Sequence, residues 1–230
     1  MFQISFYINY SISMNKFLII FVFIPLSANA FINIESLREN SKKGFNSSAK
    51  ALFNQQTGNT DKLTASASSL NAFERFKDEY IIIANMQYGE SFEQKDTENG
   101  SLHLRYTREL SSKNYTELYT QYQYNKFKAL NSRKLLGIGY RHKAKYINVG
   151  LGAFSEYEEI SDRPNQEAIR GNFYFSSSIK NQTGLEVSSI LYLQPSFKNA
   201  NDTRVTLNAG ISSKISNDIN IIIEYESVYD

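Results

Sequence analysis

The sequence predicts an all-β fold: an antiparallel up-and-down transmembrane β-barrel, nominally of 12 strands with the last missing from this chain. Three observations carry the prediction. Apolar and polar residues alternate through eleven successive segments, a secretory leader stands near the start, and the connections alternate between long and short. Successive side chains of a strand point to opposite faces, so each segment has one oily face and one polar face. A membrane barrel turns the first to lipid and the second to its lumen.

The leader comes first. Residues 17–26, FLIIFVFIPL, form a run of ten apolar residues, too short for a membrane-crossing helix, which needs about 20. Lys16 precedes it and Ser27-Ala28-Asn29-Ala30 follows, the layout of a signal peptide cleaved after Ala30. Met14-Asn15-Lys16 supplies the charged start, so residues 14–30 read as the signal peptide and 1–13 as an upstream over-extension. A lead without clear period covers 31–43, and the barrel covers 44–230.

The strands then follow in order. The first spans 44–56 and turns at Thr57-Gly58-Asn59-Thr60-Asp61, where Gly58 and Asn59 suit positive φ. The second, 62–72, sets Leu63, Ala65 and Ala67 against Thr64, Ser66 and Ser68. The third, 79–89, puts Tyr80, Ile82, Ala84, Met86 and Tyr88 on one face. Its two tyrosines stand eight residues apart, about 26 Å along a strand, which suits aromatic girdles at two membrane interfaces. A hairpin over 99–125 carries Leu102, Leu104, Tyr106, Leu118, Tyr122 and Tyr124 outward, with Arg105, Glu117 and Gln121 inward. Six more segments, 132–142, 145–157, 168–179, 184–194, 203–214 and 219–228, repeat the pattern.

Long connections are expected at 89–100, 125–131, 158–167 and 195–202, and short ones at 111–114, 143–144, 180–183 and 215–218. Long external loops and short periplasmic turns are the habit of outer-membrane barrels. With the N-terminus periplasmic, an eleventh strand runs outward, and an even-stranded barrel needs one more to return.

Composition narrows the function. A net charge of +2 over 230 residues gives no electrostatic case for nucleic acid. A mean hydropathy of −0.42 hides alternating strands. There are no cysteines, which excludes disulfide scaffolds and zinc–thiolate sites. No cofactor or metal is expected. His103 and Ser101 share the polar face of one strand, the residue types of a lipid-hydrolysing base and nucleophile, but no orienting acid or amide stands beside them in sequence. His142 reads as a surface residue, and the chain as a non-enzyme.

The lumen candidates are Arg105, Arg170 and Arg204, mirrored by Glu117, Glu186 and Glu224, with Gln121 among them. Balanced charges in a narrow interior imply pairing across it, around a narrow polar passage or as a rigid internal network. Gly137, Gly139, Gly150 and Gly152 share an inner face and are expected to let the wall bend, or else to leave room for a ligand or plug. Glu156-Tyr157-Glu158-Glu159 is expected as solvated loop charge.

Several stretches also resemble a known family. They are Asn33-Ile34-Glu35-Ser36-Leu37-Arg38, Gln56-Thr57-Gly58-Asn59-Thr60-Asp61, His103-Leu104-Arg105-Tyr106 with Arg108-Glu109-Leu110, and the run 228–230. In order and spacing the chain, over about 31–230, is similar to the salt-induced outer-membrane proteins grouped as domain of unknown function 481. The resemblance implies a bacterial outer-membrane barrel, possessing a final strand beyond 230 that ends in an aromatic residue, and no known biochemical activity. It implies the outer-membrane bilayer and the barrel-assembly machinery as partners. The expected function is structural or small-solute passage in the cell envelope, tied to envelope stress. The alternatives are a lipid-acting outer-membrane enzyme and a soluble periplasmic barrel that binds a ligand.

Overall fold

The computed structural model describes residues 2–10, 44–59, 61–181, 184–214 and 219–229, and of 2–10, 219, 220, 222 and 224 the backbone alone. The leader with its cleavage site at Ala30, the 31–43 lead and the 215–218 turn lie outside the described residues. The strands are β1 (Phe2–Tyr10), β2 (Gly44–Gln56), β3 (Lys62–Arg75), β4 (Asp78–Ser91), β5 (Gln94–Ser111) and β6 (Asn114–Asn125). After a single 3-10 turn η1 (Lys126–Lys128) come β7 (Leu130–Lys143), β8 (Asn148–Ile160), β9 (Gln166–Lys180), β10 (Leu185–Pro195), β11 (Thr203–Lys214) and β12 (Ile219–Tyr229).

All neighbours from β2 to β12 pair antiparallel in chain order. The register places Phe73 opposite Tyr80 and Tyr80 opposite Tyr106. Their rings form a row, with centroids 6.4 Å and 5.1 Å apart. β1 pairs with the outer edge of β12, from Phe2 opposite Ser227 to Tyr10 opposite Ile219. That is the edge beside which an even-stranded barrel calls for a returning strand. Among the described residues, β1 and β2 are the two ends of the ladder, with no pairing between them. The sheet coils nonetheless, since one cavity is lined from every strand between β2 and β12.

The coiling sorts the two faces. Leu104, Leu118, Leu136, Ile138, Val149, Leu151, Phe173, Phe175, Val187, Leu207 and Ile211 all stand exposed on the convex side. Ile138 is 62% exposed although it sits in the middle of its strand. The concave side buries arginines, glutamates and amides instead. Among the described residues, two small apolar groups pack inside: Ala72, Ile81 and Ile83 with Leu70, and Tyr174 with Ile190 and Tyr192.

Three expectations need correction. The long connection at 89–100 does not exist: β4 and β5 continue through it and turn at Phe92-Glu93. Both turn residues have positive φ, 51° and 61°, the geometry that matches the twist of a tight hairpin. A polar stretch reads as a loop, but polar cross-strand partners hold it as a strand. Ser91 donates to Asp96 at 2.6 Å, Asn99 to Gln87 at 3.2 Å, and Lys62 lies 3.8 Å from Asp96. The Ser91 hydroxyl, with lesser help from Thr97 and Lys62, holds the Asp96 carboxyl below its ordinary range. A bulge at Gly89/Glu90 admits the extra residue, and a Cβ at Gly89 would crowd Asp96 Oδ1 at 2.6 Å and Thr97 Cβ at 3.1 Å.

The second correction follows from the first. Connections at one end are 57–61, 92–93, 126–129, 161–165 and 196–202; at the other, among the described residues, they are 76–77, 112–113, 144–147 and 181–184. The segregation of long from short survives only at 161–165 and 196–202. Third, Glu156 and Glu158 are not loop charges, because β8 runs on to Ile160 and its alternation turns both inward.

Candidate functional site in the lumen

Alternation along each strand sends every second residue into the lumen, and register decides which of them meet. Thr107, Arg105 and His103 on β5 face Glu117, Tyr119 and Gln121 on β6. Arg105 Nη1 bonds Glu117 Oε2 at 2.9 Å, and its guanidinium lies 4.9 Å above the Tyr119 ring. Arg105 Nε donates to His103 Nε2 at 3.4 Å, so His103 Nδ1 carries the proton it shares with Gln121 Oε1 at 3.0 Å. Gln121 in turn donates to Gln123 at 2.6 Å.

From this wall the contacts cross the lumen. Asn172 of β9 donates to the Tyr119 hydroxyl at 3.0 Å, and Gln194 of β10 donates to Asn172 at 3.2 Å. Tyr174 of β9 reaches Glu117 at 3.4 Å, and Arg141 of β7 stands 3.8 Å from the same carboxylate. β6 and β9 are three strands apart in the sheet. Only a strongly coiled wall brings them within hydrogen-bond reach.

A second cluster lies nearer the end that carries 161–165 and 196–202. Glu156, 3% exposed, accepts from Arg170 Nε at 2.7 Å and Arg204 Nη1 at 2.9 Å, with Arg133 Nε at 3.3 Å. Glu158 pairs with Arg133, and with Arg204 Nη2 at 3.4 Å. Arg170 also bonds Asp202 at 2.9 Å and the Gln194 carbonyl at 3.4 Å, which joins the two clusters. Three guanidiniums thus share three carboxylates. An ion left alone in such a place costs several kcal/mol, so the pairing is what makes the burial tolerable.

Of the residues named from sequence, Arg105, Glu117, Gln121, Arg170 and Arg204 are buried on the concave face. Arg105 pairs with Glu117 as its position suggests. Arg170 and Arg204 pair with Glu156 and Glu158 instead of Glu186 and Glu224. Glu186 is half-buried near the opposite end, 3.9 Å from Lys180, and the Glu224 side chain lies outside the described residues. The alternation also sets Arg141 on the inner face of its strand, where it is buried; Arg133, Glu156 and Glu158 are the lumen residues it was not used to name. The alternation that places Arg170 also turns them inward, Arg133 within the expected 132–142 and Glu156 within 145–157; only Glu158 lies past an expected strand end.

Two of the inner glycines leave room for interior side chains. Gly137 lies opposite Tyr119, and Gly150 opposite Tyr174. A Cβ would stand 2.3 Å from the first ring and 1.9 Å from the second. These glycines are slots in which the crossing tyrosines lie flat against the neighbouring strand. Ser101 accepts from Asn85 at 3.3 Å, while the ring nitrogens of His103 meet Gln121 and Arg105. His142 is exposed and bonds Asn114 at 2.7 Å.

Beside the network a cavity of about 860 Å³ remains. Ser48, Ser68, Asn85, Gln87 and Asn99 of β2–β5 line one side, and Arg133, Glu158 and Arg204 the other. Residues 49–230 match the family model described as protein of unknown function, DUF481. No curated protein and no solved structure matches the chain.

Proposed function

The chain belongs to the DUF481 family, and from that premise we propose that it is a structural β-barrel of the bacterial outer membrane, its lumen sealed by side chains and its role non-enzymatic. The observation that carries this reading is the inverted distribution of polarity. Large aliphatic and aromatic side chains stand exposed on the strands all round the convex face, while arginine and glutamate are buried. A water-soluble protein rarely exposes a contiguous apolar surface beyond a few hundred Å². A lipid-facing wall requires one. The signal peptide read at 14–30 supports export, and the Phe73–Tyr80–Tyr106 row supports a membrane interface at the 76–77 end.

The sealed lumen rests on the Arg–Glu clusters, which join β5–β9 and β7–β11 across the interior. A water-filled channel would leave these groups hydrated; here they are spent on one another. Their effect is to brace the coiled wall. The test is extraction from membranes with detergent only, heat-modifiable gel mobility after refolding into phosphatidylcholine vesicles, and no conductance steps in planar bilayers. Solubility of the folded protein without detergent overturns the membrane reading, and stable conductance steps overturn the sealed lumen. Hydrolysis of labelled phospholipid, abolished by His103→Ala, overturns the non-enzymatic role.

A further inference from the structure

We infer that the remaining cavity is a binding site for a small hydroxyl-rich anion, an acidic sugar of one or two rings. Its volume of about 860 Å³ lies within the roughly 300–1,000 Å³ of small-molecule sites. The chemistry of its two sides then selects the class of ligand.

One side is neutral and rich in hydrogen-bonding groups. Ser48, Ser68, Asn85 and Ser101 come from four neighbouring strands, with Gln121 and Gln123 beyond them. A carboxamide has two N–H donors and an acceptor oxygen with two lone pairs, and Asn85 directs one donor to Ser101. The hydroxyls of Ser48 and Ser68 have no side-chain partner among the described residues. Such a wall both gives and receives hydrogen bonds, as a polyol requires. Leu70, Ile83, Leu130, Leu135, Ile160 and Val228 line the cavity as well, and such side chains pack against the carbon faces of a sugar ring while the hydroxyls meet the polar wall.

The charge balance of the lining is positive. Arg105, Arg133 and Arg204 are matched by Glu117, Glu156 and Glu158. Lys50 on β2 and Lys128 on η1 also line the cavity, and neither has a carboxylate partner among the described residues. A ligand that sets a carboxylate against these ammonium groups and its hydroxyls against the serine and amide wall uses both sides at once.

The site does not depend on what surrounds the barrel, so its failure and that of the membrane reading are separable. The full chain is folded in a zwitterionic detergent that carries no sugar, and calorimetric titration compares glucuronate, glucose and acetate. Glucuronate is expected to bind at least tenfold more tightly than either. Lys128→Gln, at an exposed position, should weaken glucuronate about fivefold and leave glucose unchanged. Asn85→Leu, its folding checked by heat-modifiable mobility, should weaken both. No binding of glucuronate overturns the proposal. So does parity of glucuronate with glucose, which removes the charge requirement, or with acetate, which removes the hydroxyl requirement.

Discussion

Replacing Glu156 by glutamine perturbs the interior network at its most connected point. The carboxylate accepts from Arg170 at 2.7 Å and from Arg204 at 2.9 Å, with Arg133 at 3.3 Å. Hydrogen bonds to charged groups contribute about 1.5–3 kcal/mol each, so two give about 3–6 kcal/mol. Removing one partner of a buried ion pair costs about 3–5 kcal/mol. The amide keeps one acceptor oxygen but turns an N–H₂ toward a guanidinium, so the expected loss is about 3–5 kcal/mol. Urea unfolding in phosphatidylcholine vesicles measures it, with gel mobility and tyrosine near-ultraviolet dichroism as independent probes. The midpoint should fall while the slope m stays constant, because the surface exposed on unfolding is unchanged. Glu186→Gln is the control. Its partner Lys180 is 3.9 Å away and 65% exposed, so its loss should stay below about 1 kcal/mol. A Glu156→Gln loss no larger than that of the control refutes the network as a source of stability.

The other predictions concern the wall. Ile138→Arg, at an exposed mid-strand position, should cost about 2–4 kcal/mol if that face meets the bilayer midplane; a neutral effect on unfolding in vesicles contradicts a lipid-facing wall. Gly150→Ala forces a Cβ to within 1.9 Å of the Tyr174 ring, whereas the nearest atom to a Cβ at Gly139 is 3.5 Å away. The first should lose about 1–3 kcal/mol to overpacking and the second almost nothing, compared by the same urea titration. Replacing Phe92-Glu93 by Asn-Gly relieves two positive-φ residues that prefer those types in a tight hairpin. It should slow amide hydrogen exchange at the β4–β5 tip and stabilise the hairpin by about 1 kcal/mol.

Residues two apart share a face of any strand, so the alternation alone was enough to locate β2 to β12 and to say that Leu104, Ile138 and Val187 point away from Arg105, Arg170 and Arg204. That signal is local and needs no knowledge of partners. It is weakest where the outer face is polar, so 89–100 carries the pattern of a loop although β4 and β5 run through it. For the same reason Glu156 and Glu158, in an acidic run, were read as solvent charges. Which charges meet is not a local property. Arg204 and Glu156 are 48 positions apart and sit on strands separated by two others. Their contact exists because register sets them at one level and the coil of the sheet closes the distance. The glycine slots under Tyr119 and Tyr174 have the same origin: a ring can lie across the neighbouring strand only where register puts a residue without a Cβ opposite it. Period two, written along the chain, determined the strands and their two faces. Register and curvature, which arise only when all the strands are assembled, decided the partners inside.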